Sequence, residues 1–275
     1  MSPGKQGMST KKHWEDIFRY SGEFVDIVLQ VLDARNPIGT HNTRIEELMK
    51  QKNPEVKIAL VLNKIDLIPK RIEEKWVQHF EKKGYRIFPI SARHSRNIAE
   101  LKNYMRELAG DEVINVLITG YPNSGKSTLI FVLAKEKKKV GMSPIAGYTR
   151  AIQTIKISEK IYLIDSPGII PLDESNETEM AIKSCMNADK LEDPMAVVEF
   201  IVSYVPKKKI EKTYDIELPN SYTEDDLIEI LGKKYNKYLK GGIIDENQII
   251  KMIIRDWQQG KIKYYFPVPG DIDED

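Results

Sequence analysis

The sequence is poor in cysteine, and its single cysteine, Cys185, cannot form a disulfide within the chain. Chains without disulfides are typical of reducing compartments, so we expect a cytoplasmic protein. No uncharged apolar run approaches the roughly 20 residues that a membrane-spanning helix requires. Residues 1–12 are polar and carry lysines, a composition unlike a secretory signal. The chain is therefore predicted to be neither secreted nor inserted in a membrane.

An excess of one charge sign is also absent, because 42 Lys and Arg balance 41 Asp and Glu. The balance is uneven along the chain. Residues 1–175 contain 28 basic and 21 acidic residues, whereas residues 176–275 contain 14 and 20. A basic front half is compatible with RNA, although part of that charge has to serve bound phosphates. The four histidines show no metal-ligand spacing.

Apolar β-branched runs alternate with amphipathic stretches over residues 1–175, which is typical of a parallel α/β sheet. The predicted strands cover residues 24–32, 57–62, 85–90, 113–119, 152–157 and 161–164. The predicted helices between them cover residues 45–50, 72–82 and 98–108. Later residues favour helices, at 194–204, 225–231 and 246–257. We predict two domains, residues 1–175 and a smaller α-helical domain of residues 176–275.

A glycine-rich turn follows the strand predicted at 113–119. Residues 120–127 read GYPNSGKS and match the P-loop pattern G-x-x-x-x-G-K-[ST] in full. The loop and the following helix N-terminus bind phosphates through backbone N–H groups. Lys126 brings charge to the β- and γ-phosphates, and Ser127 supplies a hydroxyl ligand to Mg²⁺. The predicted phosphate contacts are Asn123, Ser124, Gly125, Lys126, Ser127 and Thr128.

A second phosphate-side element reads Asp-Ser-Pro-Gly at residues 165–168. Asp165 ends a predicted strand and can reach Mg²⁺, usually through water. Gly168 can offer its backbone N–H to a γ-phosphate. The polar segment 141–150 predicts a mobile loop, in which Thr149 is the favoured hydroxyl for sensing Mg²⁺ and the γ-phosphate. Thr154 is the alternative, but it lies within a strand pattern.

A base-reading element, Asn63-Lys64-Ile65-Asp66, directly follows the strand predicted at 57–62. The Asp66 carboxylate can accept hydrogen bonds from N1–H and the 2-amino group of guanine. Adenine offers neither donor, so Asp66 would be left desolvated and unpaired. Asn63 is expected to tether neighbouring loops, and the stem of Lys64 to cover the base. Ser91, Ala92 and Arg93 follow the next strand and predict a backbone donor to guanine O6.

These motifs resemble those of the small GTPase superfamily, but their order differs. The base-reading elements come before the P-loop, as in the circularly permuted, YlqF-like GTPases of ribosome biogenesis. Two further segments resemble that family, DARNP at residues 33–37 and RDWQQGKI at residues 255–262. The resemblance covers nearly the whole chain except residues 205–240. It implies a P-loop NTPase of Ras-like type, a doubly wound α/β sheet in permuted order.

The resemblance also implies a GTP- and GDP-binding, Mg²⁺-dependent switch in assembly of the large ribosomal subunit. Its partners would be precursor rRNA and ribosomal proteins, with no membrane and no DNA. The catalytic residues would be Lys126, Thr149, Asn123 and Gly168. Ile169 and Ile170 follow Gly168 where many GTPases carry a water-positioning glutamine, so intrinsic hydrolysis should be slow.

Some questions stay open at this level. Asn123 matches an asparagine that helps bind K⁺ in related GTPases, but it can also simply stabilise a turn. The alternative function is a GTP-gated RNA- or ribosome-binding module with little turnover. An unrelated P-loop ATPase is disfavoured by Asp66. The residue that positions the attacking water, and the function of Asp33, Ala34 and Arg35, are not decided by the sequence.

Overall fold

The computed structural model describes residues 24–135, 142–143, 153–166, 168 and 175–270. The chain divides into two compact units, residues 1–173 with residues 266–275, and residues 174–265. Residues 266–275, which belong to the predicted helical domain, group with the first unit. The predicted domains with their boundary at residue 175 remain a prediction.

The described part of the first unit contains a seven-stranded sheet with the order β3-β2-β1-β4-β7-β6-β5. Strands β3, β2, β1, β4 and β7 are parallel, and β6 is antiparallel to β7 and β5. The strands are β1 (Ile27–Asp33), β2 (Lys57–Asn63), β3 (Arg86–Pro89), β4 (Ile114–Gly120), β5 (Met142–Ser143), β6 (Gln153–Lys156) and β7 (Ile161–Asp165). The predicted α/β fold class is confirmed.

The helices of this unit explain why the central strands read as continuous apolar runs. They are α1 (Thr43–Lys52), α2 (Lys70–Lys82), α3 (Ile98–Ala109) and α4 (Lys126–Ala134). All seven residues of β1 are buried. Ile27 belongs to the core cluster that contains Leu101 of α3, whereas Val28 belongs to the cluster that contains Ile45 of α1. Since successive strand residues face opposite sides, both faces of β1 are covered and both require apolar side chains.

The second unit is helical in the residues described, as predicted. Its helices are α5 (Glu177–Ile182), α6 (Met195–Tyr204), α7 (Lys207–Tyr214), α8 (Glu224–Lys234) and α9 (Glu246–Gln258). Asp245 is the N-cap of α9, because its side chain accepts a hydrogen bond from the backbone N–H of Gln248 at 3.1 Å. Helices α5 and α7 were not predicted, since six and eight residues are too short for clear periodicity. Within the described ranges, none of the helices has the length and apolar character to cross a membrane.

The RDWQQGKI segment packs into the core of this unit through Trp257. Trp257 is fully buried, stacks on Tyr264 with ring centroids 3.3 Å apart, and donates from Nε1 to the Ile182 carbonyl at 3.0 Å. Arg255 pairs with Asp189 at 2.7 Å. Trp257 is therefore a core residue of this unit.

Candidate nucleotide-binding site

The P-loop connects the buried end of β4 to the first turn of α4. Gly120 and Gly125 have positive φ angles of 153° and 97°. A Cβ on Gly120 would lie 2.6 Å from the Val31 carbonyl oxygen, and one on Gly125 would lie 2.1 Å from Nδ2 of Asn63. Both positions therefore require glycine. Ser127 and Thr128 are exposed at the start of α4, where free backbone N–H groups favour anions.

The charged residues predicted for phosphate and Mg²⁺ meet beside this loop. Strands β4 and β7 are parallel neighbours, and Ile118 lies opposite Asp165. Nζ of Lys126 donates to Oδ1 of Asp165. The Lys126 side chain is 10% exposed and that of Asp165 28% exposed. The predicted phosphate lysine and the predicted Mg²⁺ carboxylate thus belong to one site.

The Asp-Ser-Pro-Gly element also approaches the P-loop. The Ser166 hydroxyl donates to the Ile118 carbonyl at 3.0 Å. A Cβ on Gly168 would lie 3.1 Å from Cγ of Pro122, and Gly168 itself is exposed. The close approach supports the predicted position of Gly168 beside the phosphate loop.

Of the two threonines considered as Mg²⁺ sensors, the structure describes only Thr154. Thr149 lies outside the described residues, so its role remains a prediction. Thr154 is 7% exposed on β6, paired with Ile164, and its hydroxyl has no hydrogen-bond partner in the described part of the chain. Burial within the sheet agrees with the strand pattern that disfavoured Thr154.

Asn63 connects the phosphate side to the base-reading side. Its Nδ2 donates to the Ser124 carbonyl at 2.8 Å, and its Oδ1 accepts from the Ala92 backbone N–H at 3.0 Å. The side chain is 2% exposed. Strand β2 ends at Asn63 and the strand order places β1 between β2 and β4. One amide therefore ties the P-loop to the Ser91-Ala92-Arg93 loop, which is the tethering expected of Asn63.

Asp66 lies on the next turn, a short 3-10 helix of Ile65–Leu67. The Ser91 hydroxyl donates to its Oδ1 at 2.5 Å, and Nε2 of His94 lies 3.6 Å from its Oδ2. Asp66 remains 22% exposed and His94 60% exposed. The sequence does not predict His94 at this site, because an exposed loop histidine has no periodic or spacing signal. Arg93 is exposed and Ala92 is buried.

Lys64 of the base-reading motif contacts the DARNP segment. Its Nζ donates to Oδ2 of Asp33 at 2.7 Å, and the Arg35 guanidinium donates to both carboxylate oxygens at 3.0 and 2.7 Å. Asp33 is 4% exposed. Burial alone would raise the pKa of Asp33, but the charges and hydrogen bonds of Arg35 and Lys64 outweigh burial and hold it well below its usual range. The three residues form a charged cluster that includes Lys64 of the base-reading motif.

Two family models match the chain. The model described as RsgA GTPase matches residues 23–174, and the model described as 50S ribosome-binding GTPase matches residues 115–237. In the structure the strand that carries Asn63, β2, precedes the strand that carries the P-loop, β4, along the chain, and β1 lies between them in the sheet. The chain belongs to the YlqF-like circularly permuted GTPases. The family prediction is confirmed.

Similar proteins agree with this family. Nucleolar GTP-binding protein 2 of Pneumocystis carinii is 34% identical over 268 residues, covering 94% of this chain and 54% of the relative. The protein of that name from Saccharomyces cerevisiae is 33% identical over 266 residues, which again cover 94% of this chain and 54% of the relative. This YlqF-like chain thus spans about half the length of these curated relatives.

The fold also resembles a solved member of the family. The crystal structure of GNP-bound YlqF from T. maritima aligns with a TM-score of 0.64 at 22% identity, covering 96% of this chain and 100% of that chain. At this identity the likeness concerns the fold alone.

The predicted cytoplasmic location is wrong by these comparisons. The relatives are named nucleolar GTP-binding proteins, and these names point to the nucleolus rather than to the general cytoplasm. The physical reason is that cysteine usage reports a reducing compartment, and cytosol and nucleus are both reducing. The single Cys185 therefore could not distinguish them.

Proposed function

We propose that this chain is a GTP-binding switch with slow, stimulated GTP hydrolysis that acts in assembly of the large ribosomal subunit. The observation that carries the proposal is the double hydrogen bond of Asn63, to Ser124 of the P-loop and to Ala92 of the base-reading loop. These two bonds support the proposal, because phosphate recognition and guanine recognition would be joined in one site at the carboxyl ends of parallel strands.

Guanine selection would reside in Asp66, whose carboxylate is accessible and positioned by Ser91. A bound guanine would satisfy both the charge and the acceptor capacity of this carboxylate. With adenine, the carboxylate would lose water and gain no donor, which is a large penalty. The site therefore fits GTP and GDP better than adenine nucleotides.

Mg²⁺ fits the donor set on the phosphate side. Ser127 presents an exposed hydroxyl and Asp165 a half-buried carboxylate, both oxygen ligands of the kind Mg²⁺ prefers. When bound, the ion would neutralise charge on the phosphate oxygens. Lys126 would hold the β- and γ-phosphates by charge, and the backbone N–H groups of residues 123–128 would orient them.

Hydrolysis is expected to depend on K⁺. Asn123 is exposed and has a left-handed backbone, with φ of 60°, at the tip of the P-loop. A monovalent ion held there would stabilise charge that develops on the phosphates, as an arginine finger does. We expect GTP hydrolysis to be about tenfold or more faster in KCl than in NaCl at equal ionic strength, since one such electrostatic contact is typically worth at least that factor.

The matched control for this prediction is Asn123→Ala, which should remove the difference between the two salts and leave GDP binding measurable. Equal rates in K⁺ and Na⁺ for the unchanged protein would eliminate the potassium assignment. They would leave guanine binding and the switch unaffected.

The assembly function is tested by co-sedimentation with precursors of the large ribosomal subunit. We expect the chain to sediment with these particles in the presence of a GTP analogue and to be released with GDP, because the γ-phosphate contacts differ between the two states. A Lys126→Ala variant should bind without regard to nucleotide. Absent binding, or equal binding of the unchanged protein in both states, would contradict the assembly proposal.

The second candidate is a GTP-gated ribosome-binding module with little turnover. It is favoured by Ile169 and Ile170, which occupy the positions where many GTPases carry glutamine. The same particles distinguish the two candidates. Faster GTP hydrolysis on adding them supports the stimulated enzyme, whereas nucleotide-dependent binding without faster hydrolysis supports the module.

A further inference from the structure

Asp33, at the end of β1, is a buried carboxylate with a defined set of partners. It is 4% exposed, the Arg35 side chain is 1% exposed, and the Lys64 side chain is 20% exposed. Charges removed from water are costly unless they are paired and hydrogen-bonded. The Asp33 carboxylate therefore has to stay paired with the Arg35 and Lys64 cations, and this requirement restricts the conformations of all three side chains.

The two oxygens of Asp33 have different partners. Oδ1 accepts from Nε of Arg35 and from the Arg35 backbone N–H, both at 3.0 Å. Oδ2 accepts from Nη2 of Arg35 and from Nζ of Lys64, both at 2.7 Å. A bidentate guanidinium fixes the plane of a carboxylate. Arg35 therefore sets the direction in which Oδ2 meets the lysine.

Lys64 itself needs to be held. Its backbone is in the left-handed region, with φ of 66°, which residues other than glycine rarely adopt. It is preceded by Asn63 and followed two residues later by Asp66, so its conformation links the two. The Ala34 backbone N–H donates to the Asn63 carbonyl at 2.8 Å, which adds a backbone contact between the same two segments.

We propose that Asp33, oriented by Arg35, is a positioning residue that holds the stem of Lys64 in place beside the guanine site. Guanine-nucleotide affinity would then depend on a carboxylate that the nucleotide does not touch. A free lysine side chain has many rotamers, and ordering it in advance removes that cost from binding. This inference rests on the proposed guanine-binding function of Asn63, Lys64 and Asp66.

The test is a double-mutant cycle on GDP affinity, measured with a fluorescent GDP analogue. Asp33→Asn keeps the shape and removes the charge, and Lys64→Met keeps most of the stem and removes the amine. We expect each single variant to raise the Kd about 10- to 100-fold, the worth of a hydrogen bond to a charged group. The double variant should be little worse than either single variant, because both remove one interaction.

Glu46 provides the matched control. It lies in the same unit and is 5% exposed. Its carboxylate is hydrogen-bonded to Gln30, His41 and Tyr85, none of which is a base-reading residue. Glu46→Gln should lower amide-exchange protection in its own unit and leave the Kd for GDP within a factor of about two, since weakening buried hydrogen bonds affects stability. A general loss of folding would instead change both carboxylate variants alike.

The outcomes separate this inference from the function on which it rests. If the unchanged protein binds no guanine nucleotide, the proposed function is wrong and the inference falls with it. If guanine binding depends on Asp66 but Asp33→Asn leaves the Kd unchanged, or the cycle is additive, only the inference is overturned. Should Asp33→Asn not fold, Arg35→Lys replaces it in the cycle, because lysine keeps the charge and loses the bidentate geometry.

Discussion

Replacing Asp66 by asparagine is expected to weaken GTP binding by about 10²- to 10⁴-fold, the loss of two hydrogen bonds to a charged acceptor. The carboxylate would accept from N1–H and from the 2-amino group of guanine. Asparagine places an N–H group opposite one of these donors, so a repulsive contact replaces an attractive one.

The same substitution should create affinity for xanthosine triphosphate. Xanthine carries an oxygen where guanine carries the 2-amino group, and this oxygen can accept from the new amide. Ser91 can still orient residue 66, because its hydroxyl can donate to an amide oxygen as it does to Oδ1 of Asp66 at 2.5 Å. A change of preference from GTP to XTP would be stronger evidence for base reading by Asp66 than the loss of GTP affinity alone.

Calorimetric titration of Asp66→Asn with GTP, XTP and ATP provides the measurement. Ser91→Ala is the control, since it removes the neighbouring hydroxyl and should weaken GTP without gaining XTP. Unchanged GTP affinity in Asp66→Asn would show that the base is read elsewhere. Loss of GTP binding without a gain for XTP would count against the assigned orientation of the base.

Trp257→Ala is expected to lower the free energy of unfolding by about 3–5 kcal/mol, because truncation of a buried tryptophan removes packing and leaves a cavity. The ring is fully buried, lies parallel to Tyr264 within 5°, and donates to the Ile182 carbonyl at 3.0 Å. The substitution would also leave that carbonyl without this donor. Trp257→Phe should lose less, since an aromatic ring remains.

Amide hydrogen exchange is the suitable measurement, because the chain has two compact units and a single unfolding midpoint would mix them. Protection should fall in helices α5, α6 and α9. Leu239→Ala is the control, because Leu239 is 54% exposed and its removal should change stability by no more than about 0.5 kcal/mol. Unaltered protection in Trp257→Ala would contradict the structural role of the RDWQQGKI segment.

The sequence predicted those features that depend on local pattern. The apolar run of β1 and the glycines of the P-loop each reflect a requirement within a few residues, namely burial on two faces and positive φ. These features do not depend on how distant segments meet.

Other features depend on register and could not be read along the chain. Asp33 meets Lys64 because β1 and β2 place Asp33 opposite Asn63, a pairing that the residue types alone do not specify. His94 approaches Asp66 through a loop conformation. Helices α5 and α7 are too short for periodicity to reveal.

The position of β1 between β2 and β4 has a consequence for synthesis of the chain. Ile27 of β1 pairs with Val116 of β4, 89 residues later. At about 5–20 residues per second, β4 follows β1 by about 4–18 s during translation. Throughout this interval the edge of β1 that pairs with β4 lacks its partner strand and is open to wrong pairing, although all seven residues of β1 end buried. The separation of β1 from β4 along the chain thus sets an interval during which this edge of the nascent strand is unpaired.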